Sequence, residues 1–364
     1  MRRFLPSLLV LLGVATPALA AEQRLLFTGS LTSEHNDNFL EYSDNQLQTF
    51  KNGTHPLRFA VGSTDDGIFS PGASLTWEID EGNGRRHALR AHWLGDFHAA
   101  NPGADYRTYS GRWTESFANG RRVQAGVAKL DNFYVRQLRD EDLAATLGDA
   151  RWQRAQFDET AITGSWREPL GKRANVGLAY RHEERTYEPG FTERTASANQ
   201  GLLSLGWTEL PRRGEIEFAG GYRALDADAT DGDPIVGDDD DVSYHGFLGS
   251  ARGRMQLGRS ARTVRWMGDL GFDLETRDYT SDRPTDPFHF GRNDTFTGIE
   301  AGIGAAWRRW DARGWFRVEN NNASLGTSAS PTSDSGSYHL NRFGIDLSWS
   351  GTLWSAAGGH ARTR

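Results

Sequence analysis

Residues 263–277 read TVRWMGDLGFDLETR, and this stretch decides the fold class. From Val264 to Leu274 every second residue is apolar or glycine, whereas the residues between them include Arg265, Asp269 and Asp273. Side chains of a β-strand point alternately to opposite faces, so this segment has one apolar face and one charged face. At the helical period the same charges would lie on every side. The stretch therefore predicts a strand between an apolar and a hydrated environment.

The same alternation recurs along the chain. Apolar residues alternate with charged, polar or small ones in residues 73–80, 89–93, 175–181, 215–223 and 298–308. The composition includes 42 Gly and 12 Trp, and the mean hydropathy is −0.62, which is typical of a β-barrel whose apolar residues never form a long run. The chain has no cysteine, which excludes a disulfide scaffold and any thiolate metal site.

Short connections alternate with long polar ones between these segments. Six short turns are predicted at 81–86, 118–122, 168–173, 210–214, 258–262 and 310–312. Seven long loops lie near 35–72, 99–105, 131–150, 185–196, 227–241, 279–294 and 321–336. This asymmetry predicts an all-β, antiparallel up-and-down barrel of about 14 strands, with both termini at the end of the short turns. A 16-strand alternative stays open because residues 57–61 also alternate, although Ser43–Gln46 has the pattern of a capped helical turn.

Tryptophans cluster where the predicted strands meet the short turns. Their amphipathic rings favour the headgroup level of a bilayer, so the clustering indicates an aromatic girdle rather than ordinary core packing. The residues concerned are Trp77, Trp113, Trp166, Trp207, Trp307, Trp310, Trp315 and Trp349.

Near the C-terminus, residues 342–349 read RFGIDLSW. Outer-membrane barrels present a β-signal to the barrel assembly machinery, in which a polar residue, a glycine, a hydrophobic residue and an aromatic residue stand at a fixed spacing. Residues 342–349 have this spacing, with Gly344, Leu347 and Trp349 at its last three positions. The whole chain resembles the porin-like outer-membrane β-barrels of Gram-negative bacteria in architecture, although no motif fixes a subfamily. The resemblance implies a transmembrane barrel that contacts outer-membrane lipid and lipopolysaccharide.

The first 20 residues have the features of a secretory signal peptide. Arg2 and Arg3 precede an apolar stretch from Phe4 to Ala15, and Ala18-Leu19-Ala20 supplies a cleavage pattern. We therefore expect a signal peptide at 1–20, an outer-membrane barrel at 21–350 and a polar C-terminal tail at 351–364. The formal net charge is −7, and loss of the two leader arginines takes it to −9, which argues against nucleic acid as a partner.

Charged side chains opposite the apolar face are the main functional prediction. A charge that faces lipid at the bilayer midplane costs about 2–4 kcal/mol, so these side chains should face a lumen. A barrel of this size is wider than side chains alone fill, which favours a passive channel for small polar solutes or ions over a blocked, salt-bridged interior. The predicted lumen residues are Arg90, Arg112, Arg181, Arg223, Arg265, Arg277, Arg308, Arg317, Glu78, Glu215, Glu217, Asp269, Asp273, Glu275, Glu300, Glu319 and Asp346.

An acidic loop offers the one candidate metal site. Its carboxylates Asp226, Asp228, Asp231 and Asp233 could bind Ca²⁺ or Mg²⁺, although their order departs from the EF-hand loop and a solvated acidic loop has the same composition. No other cofactor is expected.

Two further function classes remain as alternatives. A barrel enzyme would use His289 with Asp286, or His245 with Asp241 and Ser243, but no enzyme signature accompanies either group, and we expect no catalysis. An export or assembly component for a surface polymer or lipoprotein would use the residues after 350 to contact periplasmic machinery.

Overall fold

A computed structural model describes residues 22–140, 145–210, 213–230, 240–258, 264–283, 286, 288–324 and 336–356. Strands dominate this part of the chain. They are β1 (Glu22–Asn36), β2 (Asp66–Asp80), β3 (Arg86–His98), β4 (Tyr106–Ser116), β5 (Arg122–Arg139), β6 (Trp152–Leu170), β7 (Ala174–Tyr187), β8 (Ala196–Leu210), β9 (Gly214–Ala227), β10 (Tyr244–Leu257), β11 (Val264–Tyr279), β12 (Asn293–Trp307), β13 (Trp310–Ser324) and β14 (Tyr338–Ala356).

The strands form one closed antiparallel barrel. Each strand pairs with its neighbour in the chain, and β1 pairs with β14 from Gln23 opposite Ala356 to Asn36 opposite Arg342. Closure leaves no strand edge unpaired, which satisfies the backbone hydrogen-bonding groups without water. The prediction of a 14-strand up-and-down barrel is confirmed.

A single α-helix, α1 (Asp44–Lys51), interrupts the first long loop in the described part of the chain. Ser43 accepts a hydrogen bond from the Gln46 backbone, and the Gln46 side chain accepts one from the Ser43 backbone, which together form a capping box. Residues 57–61 form no strand, because Phe59 packs into a buried cluster with Leu40 and Tyr42 instead. The 16-strand alternative is therefore wrong.

The turn between β12 and β13 lies earlier in the chain than the sequence indicated. Trp307 pairs with Trp310, so Arg308 and Arg309 form a two-residue turn, and Arg308 has a φ of 54°. The prediction that Arg308 faces the lumen is wrong, because the strand ends at Trp307 and the alternation of faces ends with it. The guanidinium of Arg308 instead lies over the Trp307 ring.

The outer wall of the barrel is apolar. Its large side chains are exposed in a belt that runs around the strands, including Leu75, Val127, Ile162, Leu178, Leu203, Phe218, Phe247, Leu270, Ile299, Phe316, Phe343 and Ile345. Exposed Trp207, Trp266, Trp307, Trp310 and Trp354 lie at the end of the short turns, as a girdle requires. Trp315 does not belong to this girdle, because it lies on the inner face of β13 beneath the Arg342 guanidinium.

Strand β14 extends beyond the boundary drawn from the sequence. It continues to Ala356 rather than ending near 350, because residues 351–356 still pair with the start of β1. Within the β-signal pattern, Leu347 faces outward with Phe343 and Ile345, whereas Gly344 faces inward. The signal peptide expected at 1–20 lies outside the described residues. None of the helices in the described ranges is long and apolar enough to cross a membrane.

Candidate functional site: a charged barrel lumen

The inner wall carries the charged residues that alternate with the apolar belt. Apart from Arg308, each predicted lumen residue occupies a strand position opposite the exposed apolar side chains. Several of them also line cavities inside the barrel, among them Arg112, Arg181, Glu215, Glu217, Asp269, Glu300 and Asp346. Arg90, Arg265 and Glu78 lie on the same inner face of their strands.

One ion-pair network follows the wall from β6 to β9. Glu183 is buried. It binds Arg223 at 2.6 Å and Arg185 at 3.1 Å, and it also pairs with Arg181. Glu159 binds the same Arg181 at 2.7 Å and Arg185 at 3.1 Å. Three guanidinium groups thus surround two carboxylates, which leaves this network with excess positive charge.

A second network follows the wall from β10 through β14 to β1. Arg317 is its centre, because it binds Asp273 at 2.9 Å and Glu300 at 3.6 Å and also pairs with Glu319. Arg313 joins Glu300 to Asp269 and Asp346. The network ends where Arg342 pairs with Glu319 and, at 2.8 Å, with Glu34. Carboxylates outnumber guanidinium groups on this side.

The ion pairs run along the wall rather than across the lumen. In the described part of the chain, no ion pair between lumen-facing side chains joins strands more than three positions apart in the ring; the longest, Arg167 to Glu217, joins β6 to β9. The space between the walls contains a cavity of about 650 Å³ that extends from Arg167 on β6 to Arg313 on β13. An adjoining cavity of about 350 Å³ shares Arg254, Asp269 and Arg313 with it.

A pair of arginines on β3 and β4 stands apart from both networks. Arg90 and Arg112 are directly opposite each other in the strand register, and within the described ranges neither has a carboxylate within ion-pair distance. Like charges opposite each other destabilise a sheet unless solvent or counterions screen them. The pair therefore requires a hydrated lumen at this point of the wall.

The first long loop covers part of the barrel mouth at the end of the long loops. Asn38 donates a hydrogen bond to the His339 carbonyl of β14, whereas Tyr42 packs with Tyr134 of β5 and Arg58 stacks on Trp152 of β6. The loop thus reaches across nearly half of the ring. Beneath it lies a cavity of about 560 Å³, which we call the vestibule, bounded on the far side by residues of β11 to β14.

Sequence reasoning missed much of this arrangement. Glu159, Arg185, Arg313 and Arg342 are central to the networks but lie outside the segments where alternation is easiest to recognise. Extending the alternation to the ends of each strand would have found them. Glu34 lies near the other end of the chain from Arg342, so no local sequence pattern indicates that the two form an ion pair.

The predicted metal site in the acidic loop lies only partly within the described residues, so it stays a prediction. Asp226 belongs to β9 and Asp228 lies just after it, whereas Asp231 and Asp233 fall outside the described ranges. A different group, Asp240, Asp286 and His289, places one ligand atom each within 4.8 Å of one another. These groups are already engaged, since Asp240 pairs with Arg194 and Asp286 accepts hydrogen bonds from the backbones of Asp241 and His289.

The two candidate catalytic groups differ in outcome. His289 Nδ1 lies 3.0 Å from Asp286, so this predicted pair forms, but the nearby Ser281 hydroxyl donates to Asp286 rather than contacting the imidazole. His245 points towards Asp278, and the Ser243 hydroxyl accepts from the Ala227 backbone. The cluster of Asp241, Ser243 and His245 therefore does not form a triad.

Comparison with known proteins finds likeness in fold. No family model and no curated protein matches the chain. Among solved structures, it is similar to a "Bacterial polysaccharide outer membrane secretin" with 11% identity and a TM-score of 0.43, covering 92% of this chain and 99% of that one.

Two porin structures are also similar. The anion-selective porin of Comamonas acidovorans has 8% identity and a TM-score of 0.42, covering 91% of this chain and 100% of that one. OprD of Pseudomonas aeruginosa has 10% identity and a TM-score of 0.38, covering 93% of this chain and 99% of that one. At these identities the likeness concerns the fold alone.

Proposed function

We propose that this porin-like barrel resides in the outer membrane and is a passive channel for small polar solutes or ions. The observation that carries the proposal is that the lumen ion pairs follow the walls and leave adjoining cavities of about 650 and 350 Å³ between them. The exposed apolar belt fits a bilayer. Within the described residues, no ion pair bridges opposite walls of the lumen.

The charge on the two sides of the lumen supports a selective channel. Arg90 and Arg112 on β3 and β4 lie about half a turn of the ring from Asp269 on β11 and Glu300 on β12. A basic wall that faces an acidic wall produces a field across the lumen, and charged pore linings select ions in this way. The unpaired arginines favour anions on their side.

The test is electrical recording from the refolded protein, without residues 1–20, in a planar bilayer under a salt gradient. Discrete conductance steps are expected, and the reversal potential reports whether anions or cations pass more readily. The control is protein from the same preparation that was heated until it lost the mobility of the folded barrel on a gel. Protein that is folded in the bilayer but never conducts would contradict the channel.

A further inference from the structure

Three tryptophans form a row on the outer wall beside the turn between β12 and β13. Trp307 of β12 is directly opposite Trp310 of β13, and Trp310 is directly opposite Trp349 of β14. Trp307 and Trp310 are nearly half exposed, so their rings can contact the surroundings of the barrel. Tryptophan favours the headgroup level of a bilayer. This tryptophan row therefore marks the depth of the lipid headgroups at the end of the short turns.

Arg308 and Arg309 form the turn itself and stay at the same depth. The turn has only these two residues, so each arginine is adjacent to a tryptophan of the row. The Arg309 carbonyl accepts a hydrogen bond of 3.0 Å from the Ser350 amide, which fixes the turn to β14. The Arg308 guanidinium lies 5.5 Å from the centre of the Trp307 ring. Because that ring is on the outer wall, the guanidinium faces the headgroups rather than the lumen.

The two arginines of this turn are not neutralised by the protein. Among the described residues, neither has a carboxylate within ion-pair distance. Asp311, the closest carboxylate in the sequence, lines a cavity inside the barrel instead. Other short turns differ in this respect, since Arg85 binds Glu115 at 2.5 Å. Arg121 likewise binds Glu168 at 2.6 Å. The turn between β12 and β13 thus holds two uncompensated positive charges at headgroup depth.

The backbone of the turn does not explain why an arginine is present. Arg308 has a φ of 54°, in the left-handed region that favours glycine. Side chains kept in such a conformation are often found at sites of function. A ligand for the guanidinium would account for an arginine at a position where the turn geometry favours glycine.

The chemistry of the turn and of the tryptophan row indicates which ligand fits. A guanidinium binds a phosphate through two parallel hydrogen bonds, and the tryptophan rings lie where the glycerol and the upper acyl chains of a lipid would be. The ammonium of an ethanolamine headgroup would be repelled by two arginines that have no carboxylate beside them. Charge complementarity therefore favours a headgroup whose only charge is its phosphate.

From these observations we propose that the turn of Arg308 and Arg309, together with the tryptophan row, binds an anionic glycerophospholipid of the phosphatidylglycerol class. The lipid belongs to the leaflet at the end of the short turns. The inference requires the barrel to lie in a bilayer but not to conduct, so it goes beyond the proposed channel and can fail separately from it.

Native mass spectrometry of the folded barrel tests the proposal. The barrel is released from detergent micelles that contain equal amounts of dioleoylphosphatidylglycerol and dioleoylphosphatidylethanolamine, which differ only in the headgroup. We expect phosphatidylglycerol to be retained with a preference of at least about tenfold, because two surface arginines attract an anionic headgroup. The preference should persist in excess inorganic phosphate. Equal retention of the two lipids, or displacement of phosphatidylglycerol by inorganic phosphate alone, would overturn the proposal.

Arg308→Gln/Arg309→Gln and Arg85→Gln/Arg121→Gln form a matched pair for this measurement. Each double variant removes two positive charges from the short turns, so an effect of net charge alone is the same in both. The preference for phosphatidylglycerol should fall about tenfold in R308Q/R309Q and stay unchanged in R85Q/R121Q, with both keeping the gel mobility of the folded barrel. Equal loss in both variants would overturn the assignment to this turn.

Arg308→Gly separates the side chain from the backbone of the turn. Glycine adopts a positive φ without strain, so this variant should unfold at a urea concentration equal to or higher than that of the parent. It keeps one of the two arginines, so the preference should fall about threefold, which is half of tenfold on a logarithmic scale. An undiminished preference in R308G would show that the Arg308 guanidinium does not bind the lipid and would overturn the proposal.

Discussion

Gly344 shows at the scale of one residue how the sequence pattern and the packing meet. It occupies the glycine position of the β-signal pattern and faces the lumen, where the Trp315 ring covers it. A Cβ atom there would lie 2.7 Å from that ring and 2.9 Å from the Ser33 backbone oxygen. The backbone of β1 cannot yield without breaking its pairing with β14, so packing alone requires glycine at this position.

We predict that Gly344→Ala destabilises the barrel by about 1–3 kcal/mol, the usual cost of overpacking. Gly314→Ala is the control, because a Cβ at Gly314 has nothing within 4 Å. Urea unfolding of both variants in lipid vesicles, without assembly machinery, measures the difference. If both variants unfold at the same urea concentration as the parent protein, the contact with Trp315 does not affect the stability of the barrel. Any defect of G344A in cells would then come from the loss of the assembly signal.

At the scale of the element, Asp286 connects two long loops. It accepts hydrogen bonds from the backbone of Asp241, in the loop after β9, and from Phe288 and His289 in its own loop. Burial alone would raise the pKa of Asp286, but the hydrogen bond and charge of His289 and the backbone donors lower it below 3.8. A lowered pKa means that the ionised carboxylate stabilises the folded loops.

The sign of the pH dependence follows from that shift. The stabilisation by Asp286 is fully present above its ordinary pKa of about 3.8 and is lost as the pH falls through the lower value of the folded state. Hydrogen–deuterium exchange of 240–243 and 288–292, corrected for the intrinsic rate, should therefore accelerate below about pH 3.8. Asp286→Asn should exchange fast already at neutral pH, whereas Asp278→Asn, at an exposed carboxylate, should behave like the parent. Protected loops in D286N at pH 7 would refute this role.

The loop of residues 37–65 is the other element with a clear function in the architecture. Its ends meet where the Phe39 amide donates to the Thr64 carbonyl at 3.1 Å, and its middle lies over the vestibule. Residues 40–63 can therefore be replaced by a short Gly-Ser turn without stretching the chain. The replacement removes α1 and the Tyr42 and Phe59 side chains from the mouth.

We predict that this shortened protein conducts more current per channel than the parent, because the loop no longer covers part of the barrel mouth. Single-channel recording in a planar bilayer measures the effect, and the gel mobility of the folded barrel confirms that the walls are intact. An unchanged conductance would mean that the loop does not limit the passage of ions.

At the scale of the whole molecule, the unequal charge of the walls is the feature that matters. The β6–β9 network has more guanidinium groups than carboxylates, the network from β10 to β1 has more carboxylates, and the Arg90–Arg112 pair has no carboxylate partner in the described ranges. The two networks therefore differ in the sign of their excess charge. The proposed field across the lumen follows from this ring order of the strands.

The double variant Arg90→Gln/Arg112→Gln should shift the reversal potential towards cation preference, since it removes positive charge from one wall only. Its stability in urea should equal or exceed that of the parent, because two facing like charges are removed. Arg252→Gln is a contrasting variant: Arg252 binds Asp273 at 2.8 Å, so its loss also leaves a carboxylate without that partner. An unchanged reversal potential in the double variant would argue against the proposed field.

Local sequence patterns were enough to predict the strands, their number and one helix cap. Alternation at 263–277 gave the strand and its two faces, the contrast of short turns with long loops gave the number of strands, and Ser43 with Gln46 gave the helix cap. The errors also have a local cause. Arg308 was assigned to a face because a two-residue turn without glycine or proline leaves no mark in the sequence.

Only the tertiary structure decided which charges meet. Glu34 and Arg342 come together because ring closure joins β1 to β14, and Arg313 reaches Asp269 across an intervening strand. Alternation fixes the face of a side chain but not its height or its neighbour two strands away. The vestibule depends in the same way on a loop that crosses the mouth by packing Tyr42 against Tyr134. Strand faces follow from covalent geometry at short range, whereas networks and cavities follow from register and closure, which no short stretch of sequence contains.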